Sequence, residues 1–178
     1  GFIFLRLRGI LGSKSEFDNK VSTEFNPEFV RGSPKKTFNE MTFDDNAKSN
    51  FLKGAKIAYE NIITSFSVGN LSSVKNLLDK KIYDQFQDAL KDRQKNGQSS
   101  EMTFIGINSA EIKNHENKNG FLEVKVDLVS EIISCIKNNE GKIISGDPKK
   151  VKKVYDSWKF SKNIKSNNPN WLLIDTES

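Results

Sequence analysis

Two carboxylates and one phenol are the groups of this chain with which acid–base chemistry could be built. A carboxylate base and a hydroxyl donor facing each other in an apolar pocket can move a proton on a bound substrate, as isomerase-type enzymes do. Asp127, Asp156 and Tyr59 supply these groups. Asp156 is the strongest candidate, because strand alternation places it on an apolar face, where a carboxylate must be hydrogen-bonded or perturbed. The alternative is a structural Asp156 that pairs with a lysine or a backbone amide.

The other residues with reactive side chains favour structural roles. Cys135, the one cysteine, has no CxxC spacing and lies beside Ile133 and Ile136, which is typical of a small buried core residue. His115, the one histidine, lies in a polar segment that we expect to be an exposed turn. The sequence therefore predicts no metal site and no cofactor.

The elements that must position Tyr59 and Asp156 begin with two helices. Apolar residues at helical spacing predict a first helix, which Asp44 or Asp45 caps and Gly69 ends. The same spacing continues after Asn70, which is placed to cap a second long helix that stops at residues 95–97. Both helices carry one apolar face, so both are expected to pack on another layer.

A sheet follows the helices. Apolar and polar residues alternate strictly in the last third of the chain, which is typical of strands with one buried and one solvated face. The pattern predicts an α+β fold in which two long N-terminal helices pack on a curved, four-stranded antiparallel sheet. We expect strands at 104–112, 121–136, 154–160 and 171–174, turns at 119–120 and 137–141, and a loop from there to Pro148.

A pocket is predicted between the first helix and the sheet, because the inward positions of both elements are large and apolar. Its predicted lining residues are Tyr59, Ile62, Phe66, Val126, Leu128, Asp156, Trp158 and Phe160.

The charge of the chain is basic, with a net charge of +5. Four lysines, Lys149, Lys150, Lys152 and Lys153, enter the third strand as a basic edge. Such an edge either blocks pairing with other strands or faces anions such as acidic lipid. A moderate excess of lysine is also an ordinary aid to solubility.

The N-terminal residues 1–13 have the composition of a membrane contact. Apolar residues are followed by arginines, as at the cytoplasmic end of a membrane helix, although spanning needs about 20 apolar residues. We expect an interfacial anchor or the end of a membrane helix; a sticky terminus is the alternative. The predicted membrane-binding residues are Phe2, Phe4, Leu5, Arg6, Leu7 and Arg8.

Residues 14–46 have the composition of a linker, with serine, asparagine, proline and many charges. The linker also carries five spaced phenylalanines, which can dock as short aromatic anchors on a partner or on the chain's own domain. These five linker phenylalanines are Phe17, Phe25, Phe29, Phe38 and Phe43. The folded domain is expected at residues 47–178.

Four stretches of the sequence together carry a family resemblance: 4–8 with 11–12, 51–60 with Ile62, Leu77-Leu78 with Tyr83 and Phe86, and 156–160 with 170–173. They resemble the Tim44-like family, whose mitochondrial member is an inner-membrane translocase subunit that recruits the import motor chaperone. This resemblance implies a cystatin-like or nuclear-transport-factor-two-like cone. The front end resembles the bacterial members, which implies an alphaproteobacterial inner-membrane protein with its domain on the cytoplasmic face.

The leading functional hypothesis is a non-enzymatic adaptor that contacts anionic membrane lipid and a protein-translocation or chaperone partner. The chain lacks the long chaperone-binding N-terminal region of the mitochondrial form, so recruitment of the motor does not follow from the resemblance. One alternative is a small-ligand-binding protein or isomerase-type enzyme on the same cone. Another is an RNA- or ribosome-binding module, which is not favoured because no basic patch is interleaved with exposed aromatic residues.

Overall fold

The computed structural model describes residues 43–167 and 170–177. Two α-helices and a short 3-10 helix precede an antiparallel sheet, so the predicted α+β fold is confirmed. The elements are α1 (Asp45–Val68), the 3-10 helix (Ser72–Leu77), α2 (Lys80–Lys95), β1 (Ser99–Lys118), β2 (Phe121–Lys137), β3 (Ile143–Gly146), β4 (Lys152–Asn163) and β5 (Leu172–Glu177).

The sheet has five strands rather than the four that the sequence predicts. Its order is β1-β2-β4-β5, and the additional strand, β3, pairs with the end of β2. β4 covers β2 only from Phe121 to Ile132, and β3 pairs with the remaining segment Cys135–Lys137. The segment predicted to be a loop therefore contains a strand, because the long β2 leaves backbone groups there that need partners.

The hairpin between β1 and β2 turns at Asn119-Gly120, as predicted. Both residues have positive φ, 52° and 86°, which is the backbone of a type I′ turn. β1 begins earlier and ends later than predicted, since it pairs with β2 along its whole length. The prediction that His115 lies in a turn is therefore wrong. His115 is a residue of strand β1 and lies opposite Val124.

Helix α1 has the predicted ends. The Asp44 carboxylate accepts a hydrogen bond of 2.9 Å from the Ala47 amide. At the other end the Gly69 amide donates to the Ser65 carbonyl at 2.9 Å. The buried face is a single stripe that packs on the sheet, formed by Phe51, Ala55, Tyr59, Ile62, Ile63, Phe66 and Ser67.

The predicted second helix is wrong in its first half. A 3-10 helix ends at Leu77, and α2 starts anew with Asp79 as its cap, which accepts from the Ile82 amide at 2.9 Å. The break occurs because strand β5 pairs here: Leu78 forms a parallel bridge with Leu173, and the Asp79 amide donates to the Leu173 carbonyl at 3.1 Å. A helix through these residues could not make that pairing.

The N-terminal edge of the described chain packs on the domain. α1 begins at Asp45, ahead of the expected domain start at residue 47. Phe43 lies against Phe51, His115 and Trp171, with ring centroids 6.1, 4.9 and 6.3 Å away. The other linker phenylalanines and the predicted membrane-binding residues 2–8 lie outside the described residues.

Candidate functional site

A buried hydrogen-bonded triad lies between α1 and the sheet. The Tyr59 hydroxyl donates to Asp156 Oδ2 at 2.6 Å and lies 3.0 Å from Ser130 Oγ. The sheet register explains the meeting, because Asp156 of β4 lies opposite Leu128 of β2, two residues from Ser130 on the same face. The inner face of the sheet thus presents a carboxylate and a hydroxyl to one phenol of α1.

The triad is sealed from solvent. Tyr59 and Ser130 are 0% exposed and Asp156 is 3% exposed. Trp158 packs against the Tyr59 ring at 4.7 Å. Burial, followed by the charge of Asp156 and the hydrogen bond to it, raises the pKa of Tyr59 far above its ordinary value. The phenol therefore stays protonated and donates to the carboxylate.

The geometry of the triad differs from that of a proton-transfer site. In such a site the hydroxyl and the carboxylate both point at the substrate, within hydrogen-bond reach of its reacting atoms. Here Tyr59 and Asp156 point at each other, and the Tyr59 hydroxyl donates to one oxygen of the buried carboxylate. Asp127, the other proposed base, is half-buried and accepts a 2.8 Å hydrogen bond from Ser157 Oγ. The two carboxylates do not meet, because they lie on opposite faces of the sheet.

The eight predicted pocket residues all lie in the interface between α1 and the sheet, and all are 0–3% exposed. They extend along most of the helix rather than around one point. Phe160 contacts Phe51 near the start of α1 at 5.8 Å, whereas Phe66 near its end contacts Phe86 at 5.3 Å. An open pocket among them stays a prediction; the side chains shown here are packed against one another.

Trp158 carries a buried polar atom of this interface that suggests room for a ligand. Its indole Nε1 is buried and has no hydrogen-bond partner within the described part of the chain. A buried donor usually has a partner, which is often an ordered water or a ligand acceptor. The Trp158 indole is accordingly the group at which a small ligand would be sought.

The four lysines of the predicted basic surface do not form one patch. Lys149 and Lys150 are exposed on a turn in which Asp147 accepts from the Lys149 amide at 2.9 Å. Lys152 and Lys153 start β4 and point to opposite faces, as successive strand residues must. Lys153 lies opposite Glu131, which reduces its contribution to a positive field.

Sequence reasoning missed several of the buried polar residues, and two of them, Ser130 and Arg93, lie at candidate sites. Ser130 completes the triad, and Arg93 of α2 lies under the end of α1 with 7% exposure. Both could have been found from periodicity. Ser130 occupies an inward position in the alternation of β2, and Arg93 follows Ile82, Phe86 and Ala89 at helical spacing.

Two searches of the described residues concern membranes and metals. No helix within 43–167 and 170–177 is long and apolar enough to cross a bilayer. In the same ranges no group of three or more His, Cys, Asp or Glu side chains is arranged to hold a metal ion.

The comparisons with known proteins relate the chain to one family. Among solved structures, the crystal structure of the intermembrane space region of the chloroplast protein ARC6 is similar, with 12% identity and a TM-score of 0.46. The match covers 77% of this chain and 97% of that one. A search of curated proteins gives no match. The model of the Tim44-like domain matches residues 38–178, most of the chain, and this protein therefore belongs to the Tim44-like family.

Proposed function

We propose that this protein is a non-enzymatic adaptor that holds a protein-translocation or chaperone partner at the cytoplasmic face of a bacterial inner membrane. The Tim44-like family is membrane-associated and related to translocase-associated proteins. The proposal extends this to lipid contact and partner binding by this chain.

The observation that carries the proposal is the burial of the triad. Tyr59 and Asp156 are the groups from which an isomerase-type site would be built, and together with Ser130 they are 0–3% exposed and bonded to one another. A substrate could reach them only if α1 moved off the sheet. The triad therefore supports a structural role, and an adaptor needs only the surface of the domain.

The outer face of the sheet carries a few exposed apolar side chains that are available to a protein partner. Tyr155 is 57% exposed and lies opposite half-buried Val129, on the face of the sheet that points away from the helices. Ile105 of β1, also on that face, is 49% exposed. Exposed aromatic and aliphatic side chains are common at interaction sites, and here they lie among charged residues such as Glu131 and Lys153.

The proposed lipid contact combines the N-terminal residues with the lysines near β4. Apolar residues from Phe2 to Leu7 would insert into the interface, with Arg6 and Arg8 near the phosphates. Lys149 and Lys150 are exposed and available as a weaker second contact, each worth about 1 kcal/mol near an anionic surface.

Vesicle co-sedimentation tests the lipid contact. Deleting residues 1–13 should abolish most binding to vesicles that contain anionic lipid, and the remainder should weaken as salt is added, because it would be electrostatic. Lys149→Gln with Lys150→Gln should reduce that remainder. Lys53→Gln with Lys56→Gln, which removes the same charge from the exposed face of α1, is the matched control. Unchanged sedimentation after the deletion would show that residues 1–13 are no anchor.

Photo-crosslinking from residues 14–46 in membranes tests the partner. A photoreactive residue placed at Phe25 or Phe38 should trap a subunit or chaperone of the protein-transport machinery. The same probe at Lys81, an exposed position of α2, serves as the control for contacts made at random. Crosslinks to ribosomal RNA or ribosomal proteins alone would replace the adaptor with the ribosome-binding alternative.

A further inference from the structure

A second candidate site lies where the ends of α1 and α2 meet the start of β1. An open cavity of about 520 Å³ is present there. Its size falls within the range of small-molecule sites, about 300–1,000 Å³. The polar residues that matter for its chemistry are Ser67, Lys91, Arg93, Gln94, Gln98 and Ser100.

Arg93 is a buried cation on the wall of this cavity. Its side chain lies over the Phe66 ring at 5.8 Å, and Nη2 donates to the Ser67 carbonyl at 2.9 Å. No carboxylate within the described ranges pairs with it, and burial without such a partner lowers the pKa of Arg93. A buried charge is costly unless it is paired. Within the described residues Arg93 therefore has a carbonyl and an aromatic ring as partners but no counter-ion.

Arg93 has one structural role, at the end of α1, and this role uses few of the N–H donors of its guanidinium. The bond to Ser67 satisfies a carbonyl in the last turn of α1, as basic side chains often do at helix ends. A guanidinium has five N–H donors, and this bond uses one of them. Within the described residues no other hydrogen bond of the Arg93 guanidinium is present, so its remaining N–H donors are available to an anion in the cavity.

The other lining residues of the cavity also favour an anionic ligand. Lys91 adds a second positive charge, and none of the described lining residues is an aspartate or glutamate. The Gln98 side-chain oxygen is buried and has no hydrogen-bond partner among the described residues. Oxygen and nitrogen of an amide are assigned by their surroundings, so a rotated Gln98 would present its NH₂ group as a further donor. The Ser67 and Ser100 hydroxyls, 2.9 Å apart, hold α1 and β1 together beside it.

We propose that this cavity binds the oxyanion group of a small ligand, a carboxylate or a phosphate, with Arg93 as the principal contact and Lys91 and Gln98 as supporting donors. The planar guanidinium suits both groups, because each presents two oxygens to two parallel N–H donors. This site goes beyond the adaptor function and does not depend on it.

An NMR titration of the full chain tests the proposal. Sodium phosphate and sodium acetate are added separately, with ionic strength held constant by sodium chloride. We expect saturable shifts of the Gly69, Gln98 and Ser100 amides and of the Arg93 Nε–Hε signal. The anion with the tighter saturation identifies phosphate or carboxylate as the group bound. Shifts that do not saturate with either anion, or that chloride reproduces, would overturn the site.

Matched variants locate the binding. Arg93→Met should weaken the apparent affinity at least tenfold. Lys95→Met, which removes the same charge from an exposed position in the same helical turn, should leave it within twofold. Because Arg93 also caps α1, its replacement can prevent folding; Gln98→Met then provides the test and should weaken affinity at least threefold. Equal affinity in the wild type and every folded variant would overturn the assignment.

Discussion

The Tyr59 hydroxyl connects elements that are far apart in the chain. It joins α1 to Ser130 of β2 and to Asp156 of β4, 71 and 97 residues away. Apolar contacts tolerate small rotations and shifts of a helix on a sheet, whereas a 2.6 Å hydrogen bond to a buried carboxylate does not. The triad therefore fixes how α1 lies on the sheet.

Tyr59→Phe should lower the free energy of unfolding by about 1–3 kcal/mol, because the buried Asp156 carboxylate loses a donor that water cannot replace. The double variant with Asp156→Leu should cost less than the sum of the single variants. Urea denaturation measures each. Tyr83→Phe, which keeps the ring and its contact with Lys75, is the control and should change stability by less than about 0.5 kcal/mol. A Tyr59→Phe variant as stable as that control would contradict the triad's role.

The pH dependence of unfolding provides a second measure of the same contact. The pKa of Tyr59 is raised in the folded state, while the unfolded chain releases this proton near the ordinary value of 10.0. Above that pH the unfolded state binds fewer protons than the folded state, so stability falls as the pH rises. The fall should be steeper in the wild type than in Tyr59→Phe. Parallel profiles would show that Tyr59 titrates normally.

At the scale of elements, strand β3 depends on one glycine. Gly146 and Gly141 both have φ of +82°, where side chains other than hydrogen are strained. A Cβ on Gly146 would lie 2.4 Å from the Ser134 carbonyl oxygen, whereas a Cβ on Gly141 would have nothing within 4 Å. The close approach of β3 to β2 therefore requires glycine at 146 for space as well as for conformation.

Alanine substitutions at Gly141 and Gly146 separate backbone strain from steric clash. Gly141→Ala should cost about 1–2 kcal/mol, the cost of the left-handed conformation alone. Gly146→Ala should cost more, because the backbone of β2 or β3 must also move. Thermal unfolding compares the variants, and amide exchange at Ile143 and Ser145 shows whether β3 has separated. Equal losses in the two variants would mean that β3 shifts without cost.

Elements specified by adjacent residues could be predicted from the sequence. The caps at Asp44 and Gly69 and the turn at Asn119-Gly120 depend on local chemistry, and each is where it was expected. The break at Leu78 was not predicted, because the helical spacing continues through it and the interrupting partner is Leu173, remote in sequence.

In the candidate sites, too, features that depend on local sequence could be predicted and contacts between remote residues could not. Alternation placed Asp156 on the buried face, and helical spacing placed Tyr59 there, but no local pattern shows that the two side chains bond to each other. Arg93 was missed because a charged residue in an amphipathic helix is ordinarily assigned to the solvent face. Its burial arises from the approach of the α1 end, where Ser67 accepts its hydrogen bond.

At the scale of the whole molecule, three distant parts of the chain meet at Phe43. Its ring contacts Phe51 of α1, His115 near the β1–β2 turn and Trp171 before β5. Lys162 of β4 lies over the Trp171 ring of this cluster at 5.8 Å. Phe43, the first described residue of the chain, thus contacts the end of the sheet as well as α1.

The linker phenylalanines should accordingly divide into two classes. Phe43→Ser should lower the free energy of unfolding by about 1–2 kcal/mol, because a partly buried ring contributes somewhat less to stability than a fully buried one. Replacing Phe25, Phe29 and Phe38 together with serine should leave the melting temperature nearly unchanged and weaken crosslinking to the partner in membranes. Thermal unfolding and the crosslinking yield separate the two effects. A large fall in melting temperature in the triple variant would show that those residues belong to the folded core, and the domain would then have to begin well before residue 43.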